Sequence, residues 1–127
     1  MAGLKNVIIV EDDVMIRELY KATLESGQYK VEVVGQASEL YKKLANYKPD
    51  CVLLDIMLPE TSGLEILTEL RKNPALGCQK AKIIMMTNLA ERSVIDKAIE
   101  SGADGYVIKS DILPKDLLKI IPGLENQ

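Results

Sequence analysis

Two rhythms of apolar residues run along the chain. Val7-Ile8-Ile9-Val10, Cys51-Val52-Leu53-Leu54 and Lys82-Ile83-Ile84-Met85-Met86-Thr87 are compact blocks that read as strands covered on both faces. Val31, Val33 and Val34, closed by Gly35, and Gly105-Tyr106-Val107-Ile108-Lys109 add a second and a fifth strand. Between the blocks, apolar residues recur at helical spacing. Ile16, Leu19, Tyr20, Thr23 and Leu24 predict a first helix, with Gly27 as its stop. Leu40 and Leu44, with Tyr47 on the same face, predict a second that Ser38 caps and Pro49 breaks. Ser62-Gly63-Leu64-Glu65 has the spacing of a capping box, with Ser62 bonding a free N–H and Glu65 reaching back. It opens a third helix that buries Leu64, Leu67 and Leu70 and ends at Asn73-Pro74. Val94, Ile95, Ala98 and Ile99 mark a fourth, stopped near Gly102. A fifth starts near Pro114, buries Leu117, Leu118 and Ile121, and ends at Pro122-Gly123.

Five strands alternating with five helices, on connections too long for hairpins, predict an α/β fold with a doubly wound parallel sheet covered on both faces. Residues 1–127 read as a single domain with a core over about 5–121 and short tails. At 47% hydrophobic residues the chain has enough apolar material for a real core, and no apolar run approaches the ~20 residues of a membrane span. The first five residues lack the apolar stretch of a signal peptide. A net charge of −3 without a basic stripe gives no footprint for nucleic acid. Two cysteines, Cys51 and Cys78, are too few for a disulfide framework and read as free thiols in a reducing cytoplasm. With no His in the chain, His-ligated metals, Ser-His-Asp triads and Cys-His pairs are excluded, and chemistry falls to carboxylates, hydroxyls, Lys and Tyr.

The strand ends carry that chemistry. In a parallel sheet all strand C-termini share one edge, where open α/β sheets place their ligands. The first strand delivers Glu11-Asp12-Asp13, the third Asp55, the fourth Thr87 and the fifth Lys109. Each residue has a plainer reading: acids favouring a helix N-terminus, a turn carboxylate, a turn hydroxyl, a solvated strand end. Those readings do not explain why polar groups gather at one edge of strands that are otherwise apolar. Clustered carboxylates would repel by roughly 4 kcal/mol per pair at 4 Å and an effective dielectric of 20. An oxygen-only donor set suits Mg²⁺ better than zinc, and leaves positions for a phosphate oxygen. Thr87 and Lys109 could hold the oxygens of a phosphoryl group in transfer, with Asp55 as its covalent acceptor.

At these residues the sequence resembles the receiver domains of two-component response regulators. The resemblance spans Lys5 to Ile121 and rests on Val10-Glu11-Asp12-Asp13, on Leu54-Asp55-Ile56-Met57-Leu58-Pro59 with Ser62-Gly63, on Met86-Thr87-Asn88, and on Gly102-Ala103-Asp104-Gly105-Tyr106-Val107-Ile108-Lys109. It implies a flavodoxin-like fold with strand order 2-1-3-4-5. It implies that Asp55 is the phosphoacceptor and Mg²⁺ the cofactor. Asp12, Asp55 and the Met57 backbone carbonyl would ligate the metal, Glu11 would hold metal-bound water, and Asp13 would be a helix-start acid outside the site. Thr87 would donate to the phosphoryl group, Lys109 would form its ion pair, and Tyr106 would be the aromatic switch. The implied partners are a histidine kinase or phosphotransfer protein as donor and a downstream protein that reads the face of the fourth helix, fifth strand and fifth helix. The protein would be a monomer or a weak phosphorylation-dependent dimer.

Two features depart from the family pattern. Ser110 follows Lys109 where members usually carry a cis-bonded Pro, and the loop Ser110-Asp111-Ile112-Leu113 runs about one residue long. Met57 and Leu89 occupy variable positions two beyond Asp55 and Thr87, and neither can orient an attacking water, which predicts a long-lived aspartyl-phosphate. The 127 residues hold no output domain, so the chain reads as a stand-alone regulator or an excised receiver. A phosphatase with Asp55 as nucleophile would need an acid where Met57 stands. A flavodoxin-like cofactor carrier would need N–H donors where Glu11-Asp12-Asp13 would repel phosphate. The remaining alternative is a receiver-like interaction module that is never phosphorylated.

Overall fold

The computed structural model describes residues 5–125. Strands and helices alternate as β1 (Asn6–Val10), α1 (Val14–Ser26), β2 (Lys30–Val34), α2 (Ala37–Leu44), β3 (Cys51–Asp55), α3 (Gly63–Lys72), β4 (Lys82–Thr87), α4 (Arg92–Glu100), β5 (Gly105–Ile108) and α5 (Leu117–Glu125). All pairings are parallel, and the sheet order is β2-β1-β3-β4-β5.

The strand blocks are continuously apolar because each face has its own helices to bury against. Val7, Ile9, Cys51, Leu53, Ile84 and Met86 pack with Tyr20 and Leu24 of α1 and with Leu117, Ile121 and Leu124 of α5. Ile8, Val10, Val52, Leu54, Ile83 and Met85 face Leu40 and Leu44 of α2, Ile66, Leu67 and Leu70 of α3, and Ala98 of α4. Each fully buried Leu or Ile contributes about 1.5–3 kcal/mol, so the two cores supply much of the force that holds helices to the sheet.

Local departures from the expected elements have identifiable causes. Gln36 is the N-cap of α2 without a side-chain cap bond, and Ser38, expected to cap, lies within the first turn; ahead of the helix the Glu39 carboxylate accepts from Gly35 N at 2.6 Å. Ser62 does cap α3, accepting from Leu64 N at 3.1 Å, but Glu65 makes no reciprocal bond among the described residues. In α3 Ile66 joins Leu67 and Leu70 in the core while Leu64 is half-buried. In α1 Leu19 is exposed, because only Tyr20 and Leu24 point squarely at the sheet. Gly27 is the C-cap of α1 at φ −93°, where a Cβ would lie 2.5 Å from Leu118 Cδ2, and the left-handed residue is Gln28, at φ 73°. Tyr47 lies beyond α2, its one hydroxyl hydrogen shared between the carbonyls of Val7 and Lys30. Ile99 of α4 is half exposed. Pro114 opens a 3-10 turn (Pro114–Asp116) before α5, and α5 runs through Pro122 to Glu125 because Leu124 is drawn into the core.

Candidate functional site

The sheet register sets the site. Val10 pairs with Leu54, so Glu11 and Asp55 emerge side by side from adjacent strands. Thr87 pairs with Ile108, so Lys109 leaves β5 next to Thr87. Glu11, Asp55 and Thr87 are the three polar side chains that are buried among the described residues, at 3%, 6% and 1% exposure. Lys109 Nζ donates to Asp55 Oδ2 at 2.9 Å and to Glu11 Oε1, forming one cation between two anions.

Burial pushes the Glu11 carboxyl above the usual range, against the opposing pull of the Lys109 hydrogen bond. Burial by itself would lower Lys109, but its bonds to Glu11 and Asp55 outweigh this and hold the ammonium above its ordinary value. The other Asp55 oxygen, Oδ1, accepts from Met57 N at 3.0 Å, which aligns the carboxylate with the turn after β3. That turn returns sharply: Gly63 N donates to Ile56 O at 2.8 Å, bringing the α3 N-terminus onto the end of β3.

Oxygens of Glu11, Asp12 and Asp55 all lie within 4.8 Å of one another. Asp12 is exposed and Glu11 and Asp55 are buried, so the set is an oxygen-only cup open on one side. Such a set fits a hard divalent cation that keeps part of its water shell, as Mg²⁺ does. Asp13 is committed elsewhere: its N–H bonds Glu11 Oε2 at 3.1 Å and its Oδ1 caps α1 through Ile16 N at 3.1 Å.

The hydroxyl side of the site is organised through Leu89. Thr87 Oγ1 accepts from Leu89 N at 3.2 Å and gives its own hydrogen to no acceptor among the described residues. Tyr106 Oη donates to Leu89 O at 2.9 Å, and burial raises the phenol's pKa. Asn88 Oδ1 accepts from Ser110 N at 2.9 Å. The Lys109-Ser110 bond is trans, as is every peptide bond among the described residues. The expected residues thus converge as two groups, Glu11, Asp12, Asp55 and Lys109 on one side and Thr87 with Tyr106 on the other. Met57 stands exposed at the rim. The contact between Asn88 and Ser110 spans 22 positions and has no local spacing signal in the sequence.

Four similarities to known proteins accompany this geometry. The response regulator receiver domain family model matches residues 7–121. The transcriptional regulatory protein SrrA of Staphylococcus aureus is 34% identical over 103 residues, covering 81% of this chain and 41% of that protein. The chain therefore spans about two-fifths of the length of that curated relative. A CheY-like response regulator receiver domain protein from Methanospirillum hungatei superposes with a TM-score of 0.83 at 35% identity, covering 98% of this chain and 96% of the other. A DNA-binding response regulator of Staphylococcus aureus superposes at 0.84 with 28% identity, covering 97% of this chain and 100% of that chain.

Proposed function

Since the chain belongs to the response regulator receiver family, we propose that it is a cytoplasmic phosphorylation-driven switch with Asp55 as phosphoacceptor. The phosphodonor is a histidine kinase, a phosphotransfer protein or a small acyl phosphate. The observation that carries this reading is the Asp55 carboxylate held between Lys109 and the Met57 N–H, with oxygens of Glu11 and Asp12 within 4.8 Å.

In the reaction, a carboxylate oxygen of Asp55 attacks phosphorus. A P–O bond forms to Asp55 as the donor's P–N or acyl P–O bond breaks, and the leaving group keeps the electron pair. Lys109, already on Asp55 Oδ2, stays with the negative charge as it passes to the phosphoryl oxygens. Mg²⁺ would be held by Asp12, Asp55 and the Met57 carbonyl, with Glu11 through water, and would neutralise charge on the phosphoryl group. Thr87 turns its free O–H to a phosphoryl oxygen and gives up the Leu89 N–H.

That movement reaches Tyr106 through a single residue, because Leu89 bonds Thr87 with its N–H and Tyr106 with its carbonyl. The phosphorylated state shifts an existing equilibrium in the α4–β5–α5 face, where half-exposed Ile99 gives a partner apolar surface. Exposed Val14, Met15 and Leu19 of α1 and Leu113 before α5 give a protein phosphodonor apolar surface to cover beside the acidic cup.

The test is intact mass after incubation with acetyl phosphate and Mg²⁺, beside Asp55→Asn and a chelator control. Gain of one phosphoryl group, lost in both controls, is expected. A folded protein that gains nothing and binds no Mg²⁺ would leave the unphosphorylated interaction module as the better reading.

A further inference from the structure

Thr87 and Lys109 both act on the same transferred group, yet they stand at the ends of separate strands. Thr87 is the last residue of β4, and its pairing with Ile108 is the last step of the β4–β5 ladder. One position further on, the two chains part: Asn88 starts the loop to α4, and Ser110 lies in a 3-10 turn (Lys109–Asp111). Their relative position beyond the ladder is fixed by the Asn88 side chain, whose Oδ1 takes the Ser110 N–H at 2.9 Å. The bond joins the residue directly after Thr87 to the residue directly after Lys109. A proline at 110 would have no N–H to offer.

We infer that Asn88 is a positioning residue for the phosphoryl transfer, setting Lys109 in register with Thr87 through Ser110; this rests on the reading of Asp55 as phosphoacceptor. Asn88 touches neither the phosphoryl group nor the metal set. Its leverage is geometric. Lys109 must span Asp55 and Glu11 with one ammonium, so a shift of the turn that carries it alters where that charge sits relative to the Thr87 hydroxyl. Misplacement of about 1 Å in such a constellation can cost up to ~100-fold in rate. The clip also bears on switching. When Thr87 gives up the Leu89 N–H, Asn88 either carries the Ser110 turn along or releases it, so the 109–111 segment takes part in the response.

The experiment is the rate of phosphoryl gain from acetyl phosphate at saturating Mg²⁺, by intact mass, for the full chain and for Asn88→Ala. Asn88 is exposed, so the variant keeps its fold, which far-UV circular dichroism checks. The expected result is a rate at least about threefold lower, faster hydrogen exchange at the Ser110 amide, and unchanged Mg²⁺ affinity. In a Ser110→Pro background, where the donor is gone, Asn88→Ala should cost nothing further. An Asn88→Ala protein that loses stability but is phosphorylated at the parental rate overturns the inference and leaves the Asp55 assignment standing. So does an equal loss of rate with and without Ser110→Pro. If the parent chain itself gains no phosphoryl group, the Asp55 reading falls, and this inference with it.

Discussion

Arg71 is the side chain whose replacement tests the structure most sharply. From the last turn of α3 its Nε donates to Gly102 O at 2.9 Å, and Nη1 meets the carbonyls of Cys78, Gln79 and Ala81 at 3.0, 3.2 and 2.8 Å. Nη2 pairs with Asp104 Oδ2 at 2.7 Å, and the same oxygen accepts from Ile83 N at 2.8 Å. One guanidinium therefore pins the loop entering β4 and the loop entering β5, the strand that carries Tyr106. Three well-placed bonds at about 1 kcal/mol each, plus up to ~1 kcal/mol for the partly exposed ion pair, put the loss in Arg71→Ala at about 3–4 kcal/mol. Arg71→Lys keeps the charge but not the fork. An ammonium has three donors and cannot reach Gly102, the 78–81 carbonyls and Asp104 together, so about 2 kcal/mol of the loss remains. Urea unfolding followed at 222 nm reads both variants. With a slope of about 1–3 kcal/mol per molar, the Ala variant should lower the midpoint by more than ~1 M. A Lys variant within about 0.5 kcal/mol of the parent would refute the argument from geometry, since charge alone would then suffice. An Ala variant that loses less than about 1 kcal/mol would show that water replaces the network at no cost.

Other perturbations have equally definite outcomes. Gly63→Ala would set a Cβ against the Asp55 carbonyl oxygen and 2.7 Å from Ile56 Cα, both backbone atoms that cannot step aside. A loss of at least about 3 kcal/mol in urea unfolding is expected, and a stable variant would show that the turn after β3 can relax. The Tyr47 phenol is pushed from 10.0 up to about 12, first by burial and then by Glu32 and Asp50. Its folded pKa lies above the unfolded one, so this group stabilises the fold below pH 10 and loses that contribution as pH rises from about 10 to 12. Tyr47→Phe should flatten the stability profile in that window, and an unchanged profile would remove Tyr47 as its source. Met57 and Leu89 offer no polar atom to an attacking water from their side chains. Replacing both with Asn should speed loss of the phosphoryl group by roughly 2- to 10-fold in a mass time course, and an unchanged rate would count against that account of a long-lived phosphate.

Much of the architecture was legible because its signals are local. Each strand is a short apolar block and each helix a stripe at 3.6-residue spacing, so element type follows from which side chains must be hidden. Capping and stopping were less legible, since several side chains can satisfy one free N–H. Ser38 falls inside the first turn of α2 instead of capping it, Glu39 accepts from Gly35 N, and Leu124 carries α5 past Pro122. The candidate site was visible for a topological reason: parallel strands put Glu11, Asp55, Thr87 and Lys109 on one edge whatever the strand order.

What the sequence determined by itself, then, is the inventory: five buried strands, their covering helices, and a set of acids, a hydroxyl and an ammonium at strand ends. The tertiary structure decided who meets whom. It put Lys109 between Glu11 and Asp55 and turned Asp13 away to cap α1. It joined Asn88 to Ser110 across 22 positions and Arg71 to Asp104 across 33. Such contacts are directional bonds between groups far apart in the chain. Their partners are chosen by sheet register and loop course, set by the packing of the two cores, and no spacing along the sequence encodes them.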